Sequence, residues 1–112
     1  MQKGQIMSTS DRYREITREV QAFVTGLGEA AEGASGRRLR EAGKAVLALE
    51  ELLETVGDIP RIKLEAKLTP VLLKAHQKLD QARLLFEENG EEDRAARAWE
   101  LEQKIYRLLN DL

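Results

Sequence analysis

Apolar residues recur at intervals of three and four along most of the chain, and polar residues fill the positions between them. This spacing is typical of helices that bury one face, because an α-helix turns once every 3.6 residues or so. It predicts four main helices at about residues 10–27, 35–56, 70–89 and 92–111. The side chains expected in the core are Tyr13, Ile16, Val20, Phe23 and Leu27, then Leu39, Ala42, Val46, Leu49, Leu53 and Val56, then Leu72, Ala75, Leu79, Ala82 and Phe86, and finally Ala98, Leu101, Ile105, Leu108 and Leu112.

A glycine-rich stretch separates the first two predicted helices. Ser8 or Ser10 can cap the first helix, and Ser35 can cap the second. Residues 26–36 contain four glycines, whose backbone freedom makes a continued helix costly. We therefore expect a loop there, and a disordered tail over residues 1–9.

Proline and glycine delimit the third helix. Proline suits a first helical turn and pushes the preceding residue out of the α region, so Thr69-Pro70 predicts the start. Asn89-Gly90 predicts the end, as Gly57 does for the second helix. Residues 59–68 are then expected to form a short separate helix.

The chain of 112 residues suits a single domain over residues 10–112. Short connections between amphipathic helices favour antiparallel neighbours. The predicted fold is an all-α antiparallel four-helix bundle with a short extra helix before Pro70.

Composition narrows the function classes without selecting one. The net charge of −2 gives no general attraction to nucleic acid or to an anionic membrane. The absence of cysteine excludes disulfides, a thiolate nucleophile and sulfur-liganded zinc. No apolar run approaches the roughly 18 residues of a membrane span. We expect a cytoplasmic protein without cofactor or bound metal.

The third helix carries more apolar surface than one seam requires. Val71 and Leu85 widen its stripe on one side, whereas Leu73 and Leu84, eleven residues apart, line up on the other flank. A helix that is apolar on more than one side often packs inside a bundle or in a subunit interface. The alternative is that Leu73 and Leu84 are singly exposed leucines, which are common on protein surfaces.

Two aromatic residues lie at the edge of the last helix's apolar face. Trp99 and Tyr106 are seven residues apart, so they share one side of the helix. Such rings either seal the rim of a core or serve as anchors for a partner. The candidate partner-interface residues are Val71, Leu73, Leu84, Leu85, Trp99 and Tyr106.

The segment Gly26-Leu27-Gly28-Glu29-Ala30-Ala31 satisfies the dinucleotide fingerprint G-x-G-x-x-G/A, and Glu50 follows at the distance of a ribose-binding acid. With residues 23–28 and 39–46, it resembles the first βαβ unit of Rossmann dehydrogenases. The resemblance implies strands on both sides of the glycines. The flanking residues keep helical spacing instead, which favours a chance match in a loop.

A basic cluster follows the glycine-rich stretch, formed by Arg37, Arg38, Arg40 and Lys44. Positive charge at a helix start opposes the helix dipole, and such a broken local rule can mark function. The cluster is a candidate site for a phosphate or another anion. The alternative is solvated charges, or ion pairs with the acidic segment at residues 87–93.

The only histidine, His76, is placed at the border of the third helix's buried stripe. Residues 74–78 (Lys-Ala-His-Gln-Lys) resemble the phosphoaccepting segment of histidine phosphotransfer bundles, which implies phosphorylation of His76. The segment lacks the glycine that follows in that family, and an ordinary border histidine is the alternative.

These observations favour a noncatalytic helical module that binds a second copy of itself or another helical protein. Nucleic acid is not favoured as a partner, because aromatic residues are not interleaved with the basic ones. The alternative function is binding of an anion, a nucleotide or nucleic acid through residues 26–44.

Overall fold

The computed structural model describes residues 7–29 and 36–112. Four helices follow one another: α1 (Thr9–Glu29), α2 (Gly36–Glu50), α3 (Arg61–Glu88) and α4 (Glu92–Asp111), with one 3-10 turn (Val56–Asp58) between α2 and α3. No β-strand occurs in the described residues, and the predicted all-α bundle is confirmed. Of the predicted tail at residues 1–9, residues 1–6 lie outside the described residues, as does the predicted cap Ser35, and Thr9 already belongs to α1.

The helices pack as an antiparallel bundle in which each helix contacts two others. Contacts join α2 to α3, α3 to α4, α1 to α2 and α1 to α4. Arg12 near the start of α1 is paired with Asp111 at the end of α4 at 2.8 Å. Arg38 near the start of α2 is paired with Glu91, which follows α3. These end-to-end pairings fix opposite directions for neighbouring helices.

The core is aliphatic, as the apolar spacing predicts. Most of the predicted seam is buried, and Phe23 meets Phe86 edge-on with ring centroids 6.1 Å apart. The largest fully buried side chains are Tyr13, Phe86, Leu49, Leu68, Leu72, Leu79, Leu101, Ile105 and Leu108. A smaller cluster of Leu27, Ala42, Ala82, Phe86 and Ala95 lies apart from the main one. Its alanines suit a close approach of the helices at that place.

Helix α1 begins as the sequence predicts and continues further than predicted. The Asp11 amide donates a hydrogen bond to Ser8 Oγ at 3.1 Å, which caps the first turn. The helix then includes Gly26 and Gly28, so the expectation of a loop from residue 26 was wrong for residues 26–29. Leu27, between the two glycines, is 3% exposed. Its burial offsets the cost of helical glycine.

Helix α2 ends at Glu50, six residues earlier than predicted. The Tyr13 hydroxyl of α1 donates a hydrogen bond to the Leu49 carbonyl. The Leu53 amide, which would bond Leu49 in a continued helix, donates to the Glu50 carbonyl at 3.2 Å instead. Burial, reinforced by the Glu51 charge, raises the pKa of Tyr13 and keeps its hydroxyl a donor. The end of α2 therefore coincides with a contact from another helix.

The expectation of a separate helix before Pro70 was wrong, because α3 runs without interruption from Arg61 to Glu88. Pro70 is exposed, and so is Ala66, whose carbonyl the proline cannot bond. That carbonyl can therefore bond water. On the opposite side, Leu68 and Leu72 are fully buried and hold the helix to the core.

The turn from α3 to α4 forms where Asn89-Gly90 predicts it. Gly90 has a φ of +72°, in the region that glycine adopts without strain. The Asn89 side-chain amide donates to the Leu85 carbonyl at 2.8 Å. Helix α4 has the predicted bounds.

Candidate functional site

Besides Ile62 in the first turn of α3, which is 90% exposed, four large apolar side chains are exposed on α3 and α4: Leu73 is 54% exposed, Leu84 45%, Trp99 52% and Tyr106 52%. The position of Glu102 shows which side of α4 the two aromatic residues occupy. Glu102 of α4 approaches His76 and Arg83 of α3. Trp99 precedes Glu102 by three residues and Tyr106 follows it by four, so both rings flank it on the side of α4 next to α3.

The two leucines occupy the matching side of α3. Leu73 shares a surface depression with His76 and Asp80. Leu84 follows Asp80 by four residues, which places it on the same side one turn later. A second depression, which Trp99 lines, includes Arg83 and Glu87 of α3. All four apolar side chains therefore belong to one surface that spans α3 and α4.

Apart from Asp80, which lies half-buried between Gln77 and Leu84, the positions between these side chains carry no charge. On α4, the residues Ala96, Trp99, Gln103, Tyr106 and Asn110 follow one another at alternating intervals of three and four residues. We call this surface the outer face, and it comprises Leu73, Gln77, Leu84, Ala96, Trp99, Gln103, Tyr106 and Asn110. In a chain with 34% charged residues, such a stripe is unusual. Depletion of charge together with exposed aromatic residues is characteristic of the centre of a protein–protein interface.

Two of the predicted interface residues do not belong to the outer face. Val71 is 9% exposed and packs in the main core. Leu85 is half-buried. Val71 lies three residues after the fully buried Leu68 and Leu85 three residues after the fully buried Ala82, so these side chains widen the buried stripe of α3.

Beneath the outer face lies a group of ionisable side chains that we call the carboxyl cluster: His76, Asp80, Arg83 and Glu87 of α3, with Glu102 of α4. Arg83 holds two carboxylates of its own helix, Asp80 at 2.8 Å and Glu87 at 2.7 Å. Glu102 lies 3.6 Å from Arg83 Nε and 3.8 Å from His76 Nε2. The cluster ties α4 to the middle of α3.

The pKa values of two neighbouring carboxyl groups of the cluster, Glu102 and Asp80, are shifted in opposite directions. Glu102 is 2% exposed, and this burial, with Asp80 next to it, raises the pKa of Glu102 to about 8. Burial also acts on Asp80, but hydrogen bonds with Arg83 and Glu102 outweigh it and lower the pKa of Asp80. The raised pKa favours a protonated Glu102 at neutral pH beside an ionised Asp80, and Glu102 Oε2 is buried without a hydrogen-bond partner in the described residues.

The sequence did not predict the carboxyl cluster, although it contains a signal for it. Glu102 lies four residues after Ala98 and three before Ile105, both fully buried. A glutamate at a position that the helical spacing marks as buried requires a polar partner. What the spacing of α4 alone cannot supply is that partner, because it comes from α3.

The basic cluster at the start of α2 is divided between ion pairs and solvent. Arg38 is paired with Glu91, in the acidic segment that the sequence offered as an alternative partner. Lys44 is paired with Glu41 at 2.9 Å. Arg37 and Arg40 are exposed.

The two local motifs fall in helical surroundings. Residues 23–28 and 39–46 are helical, so the strands that the Rossmann resemblance implies are not formed. His76 is half-buried at the border of the core, next to Glu102. Residues 30–35 lie outside the described residues.

Within residues 7–29 and 36–112, no three acidic or histidine side chains are grouped so as to hold a metal ion. None of the helices described there is long and apolar enough to cross a membrane. Comparison with known protein families, with curated proteins and with solved structures found no match.

Proposed function

We propose that this protein is a noncatalytic helical module that self-associates through the outer face of α3 and α4. The observation that carries the proposal is the coincidence, on one surface, of four exposed large apolar side chains with outward positions that, apart from Asp80, carry no charge. Exposed aromatic and leucine side chains bury the most apolar area when a second molecule covers them. A self-complementary partner supplies such a cover without a further protein.

The size of the outer face is adequate for a stable dimer. Helix α3 has 28 residues and α4 has 20. Two helices packed about 8–10 Å apart present a surface about 20 Å wide, and over such lengths it approaches the roughly 800 Å² per partner of a standard interface. We place this assembly in the cytoplasm, a compartment that suits a chain without cysteine.

The test is the mass of the protein in solution. Wild-type protein is expected to sediment as a dimer or larger species at micromolar to millimolar concentration. The double variant Leu73→Glu with Leu84→Glu is expected to be monomeric with an unchanged far-ultraviolet spectrum, because both side chains are exposed and their charges would be buried only in the assembly.

Leu47→Glu is the matched control. Leu47 is 68% exposed on α2 and lines a depression with Lys74 and Lys78, on the other side of α3 from the outer face. This variant is expected to associate as wild type does. A wild-type protein that stays monomeric at millimolar concentration would contradict the proposed function.

A further inference from the structure

A depression between α2 and α3 is lined by basic side chains. Lys44 of α2 lies there with Lys74 and Lys78 of α3, on the other side of α3 from the outer face. Two arginines extend this lining along α2, because they precede Lys44 by seven and four residues and so share its side of the helix. Both are exposed. We call this surface the basic groove, and it comprises Arg37, Arg40, Lys44, Leu47, Lys74 and Lys78.

Carboxylates do not balance the five cations of the basic groove. Glu41 serves two lysines at once, because its carboxylate lies 2.9 Å from Lys44 Nζ and 3.7 Å from Lys78 Nζ. The hydrogen bond from Lys44 lowers the pKa of Glu41, and the charges of Lys78 and Arg37 act in the same direction. Glu51 lines the depression itself and is exposed. These two carboxylates leave a surplus of positive charge on this side of a protein whose net charge is −2.

The cations that Glu41 does not hold are spread along the groove. Within the described residues, Arg37, Arg40 and Lys74 have no carboxylate within ion-pair distance. The cations of α2 recur at intervals of three and four from Arg37 to Lys44, over about 10 Å. One bound phosphate would require donors that converge on a single point. A row with helical spacing instead matches carboxylates that recur at the same intervals along a second helix.

Leu47 places an apolar side chain in this row. It follows Lys44 by three residues and is 68% exposed. An amphipathic helix in the groove covers it with an apolar side chain of its own, which removes apolar area from water. A membrane surface is matched by a broader apolar face, and single-stranded nucleic acid is matched by aromatic side chains. The basic groove has neither.

We propose that the basic groove binds an acidic amphipathic helix of another protein. Carboxylates of that helix face Arg37, Arg40 and Lys74, and one of its apolar side chains covers Leu47. The positive groove also guides an acidic partner to this side of the molecule, because complementary charge steers association. The inference is independent of self-association, since the groove and the outer face lie on different sides of α3.

A synthetic peptide tests the chemistry of the partner. The probe is a fluorescein-labelled, alanine-rich helix of about 18 residues, with glutamates and leucines at intervals of three and four on one face. At physiological ionic strength it is expected to bind with a Kd below about 1 mM. A matched peptide with lysine in place of each glutamate is expected not to bind. Fluorescence anisotropy measures both.

Charge reversal locates the site. The variant Arg40→Glu with Lys74→Glu is expected to bind the acidic peptide at least about tenfold more weakly than wild type. The matched control is Arg18→Glu with Arg107→Glu, which makes the same change in net charge at exposed positions of α1 and α4. This control is expected to bind within about twofold of wild type, because distant charges are screened at physiological ionic strength.

The variant Leu47→Gln tests the apolar contact without a change in charge. It is expected to bind the acidic peptide at least about threefold more weakly than wild type. A peptide with alanine in place of leucine should bind this variant and the wild type equally. Far-ultraviolet spectra confirm that each variant is folded.

Three outcomes would overturn the proposal. The first is no binding of the acidic peptide at millimolar concentration, and the second is an equal loss of binding in the control variant Arg18→Glu with Arg107→Glu. The third is tighter binding of phosphatidylserine vesicles or double-stranded RNA than of the peptide, lost in Arg40→Glu with Lys74→Glu. Self-association is measured separately by the mass in solution, so none of these outcomes would contradict the proposed function.

Discussion

Glu102 is held in the protein interior, and its protonation links stability to pH. In the unfolded chain its carboxyl ionises near its ordinary pKa of 4.5, whereas the folded protein retains the proton up to about pH 8. Between these values the native state binds more protons than the unfolded state. Raising the pH through this window therefore favours unfolding.

Replacement of this carboxyl by an amide should remove that dependence. Glu102→Gln is expected to raise the free energy of unfolding by about 1–3 kcal/mol at pH 8, since no charge then has to be buried. The gain should shrink toward zero well below pH 4.5, where Glu102 is protonated in both states of the wild type. Urea denaturation at a series of pH values measures the difference.

Glu100→Gln is the control for this experiment, because the Glu100 side chain is 60% exposed on the same helix. Its free energy of unfolding, plotted against pH, should run parallel to that of the wild type. If Glu102→Gln also gave a parallel curve, the neutral state assigned to Glu102 would be wrong.

Helix α3 contains an interior proline whose cost the surrounding packing offsets. Pro70 removes one backbone hydrogen bond from the helix. The side chains on both sides of it, Leu68 and Val71, are buried, so the helix continues through it. Pro70→Ala restores the missing donor and is expected to raise the free energy of unfolding by about 1–2 kcal/mol.

The same substitution at the other proline is a matched control. Pro60 directly precedes α3, where a proline breaks no helical hydrogen bond. Pro60→Ala is expected to be neutral or slightly destabilising, because it frees the unfolded chain without adding a bond. Equal effects of the two substitutions in thermal denaturation would contradict this account of α3.

At the scale of the whole molecule, stability should depend on protein concentration if the outer face self-associates. Association stabilises the folded state by mass action. The thermal midpoint of the wild type is expected to rise by a few degrees for each tenfold increase in concentration. The variant Leu73→Glu with Leu84→Glu should show the same midpoint at every concentration, and a wild type without such a rise would count against self-association.

The candidate surface could be predicted from sequence only in part. The spacing of eleven between Leu73 and Leu84, and of seven between Trp99 and Tyr106, placed each pair on one side of its own helix. That the two pairs share one surface depends on how α4 is aligned along α3. Contacts of Glu102 with His76 and Arg83 fix that alignment, and no spacing within one helix encodes it. Spacing within one helix also led to the prediction of Val71 as a surface residue, because it does not show that Val71 packs in the core.

The sequence by itself determined that four amphipathic helices form and which of their faces is buried, because helical spacing is a local property of the chain. Capping by Ser8 and the turn at Asn89-Gly90 are equally local. The tertiary structure decided the remaining boundaries. Packing against the other helices keeps the backbone helical past Gly26 in α1 and past Pro70 in α3. Helix α2 ends where the Leu49 carbonyl accepts a hydrogen bond from the Tyr13 hydroxyl, 36 residues earlier in the chain. Such contacts join distant residues, so they exist only after the helices have packed.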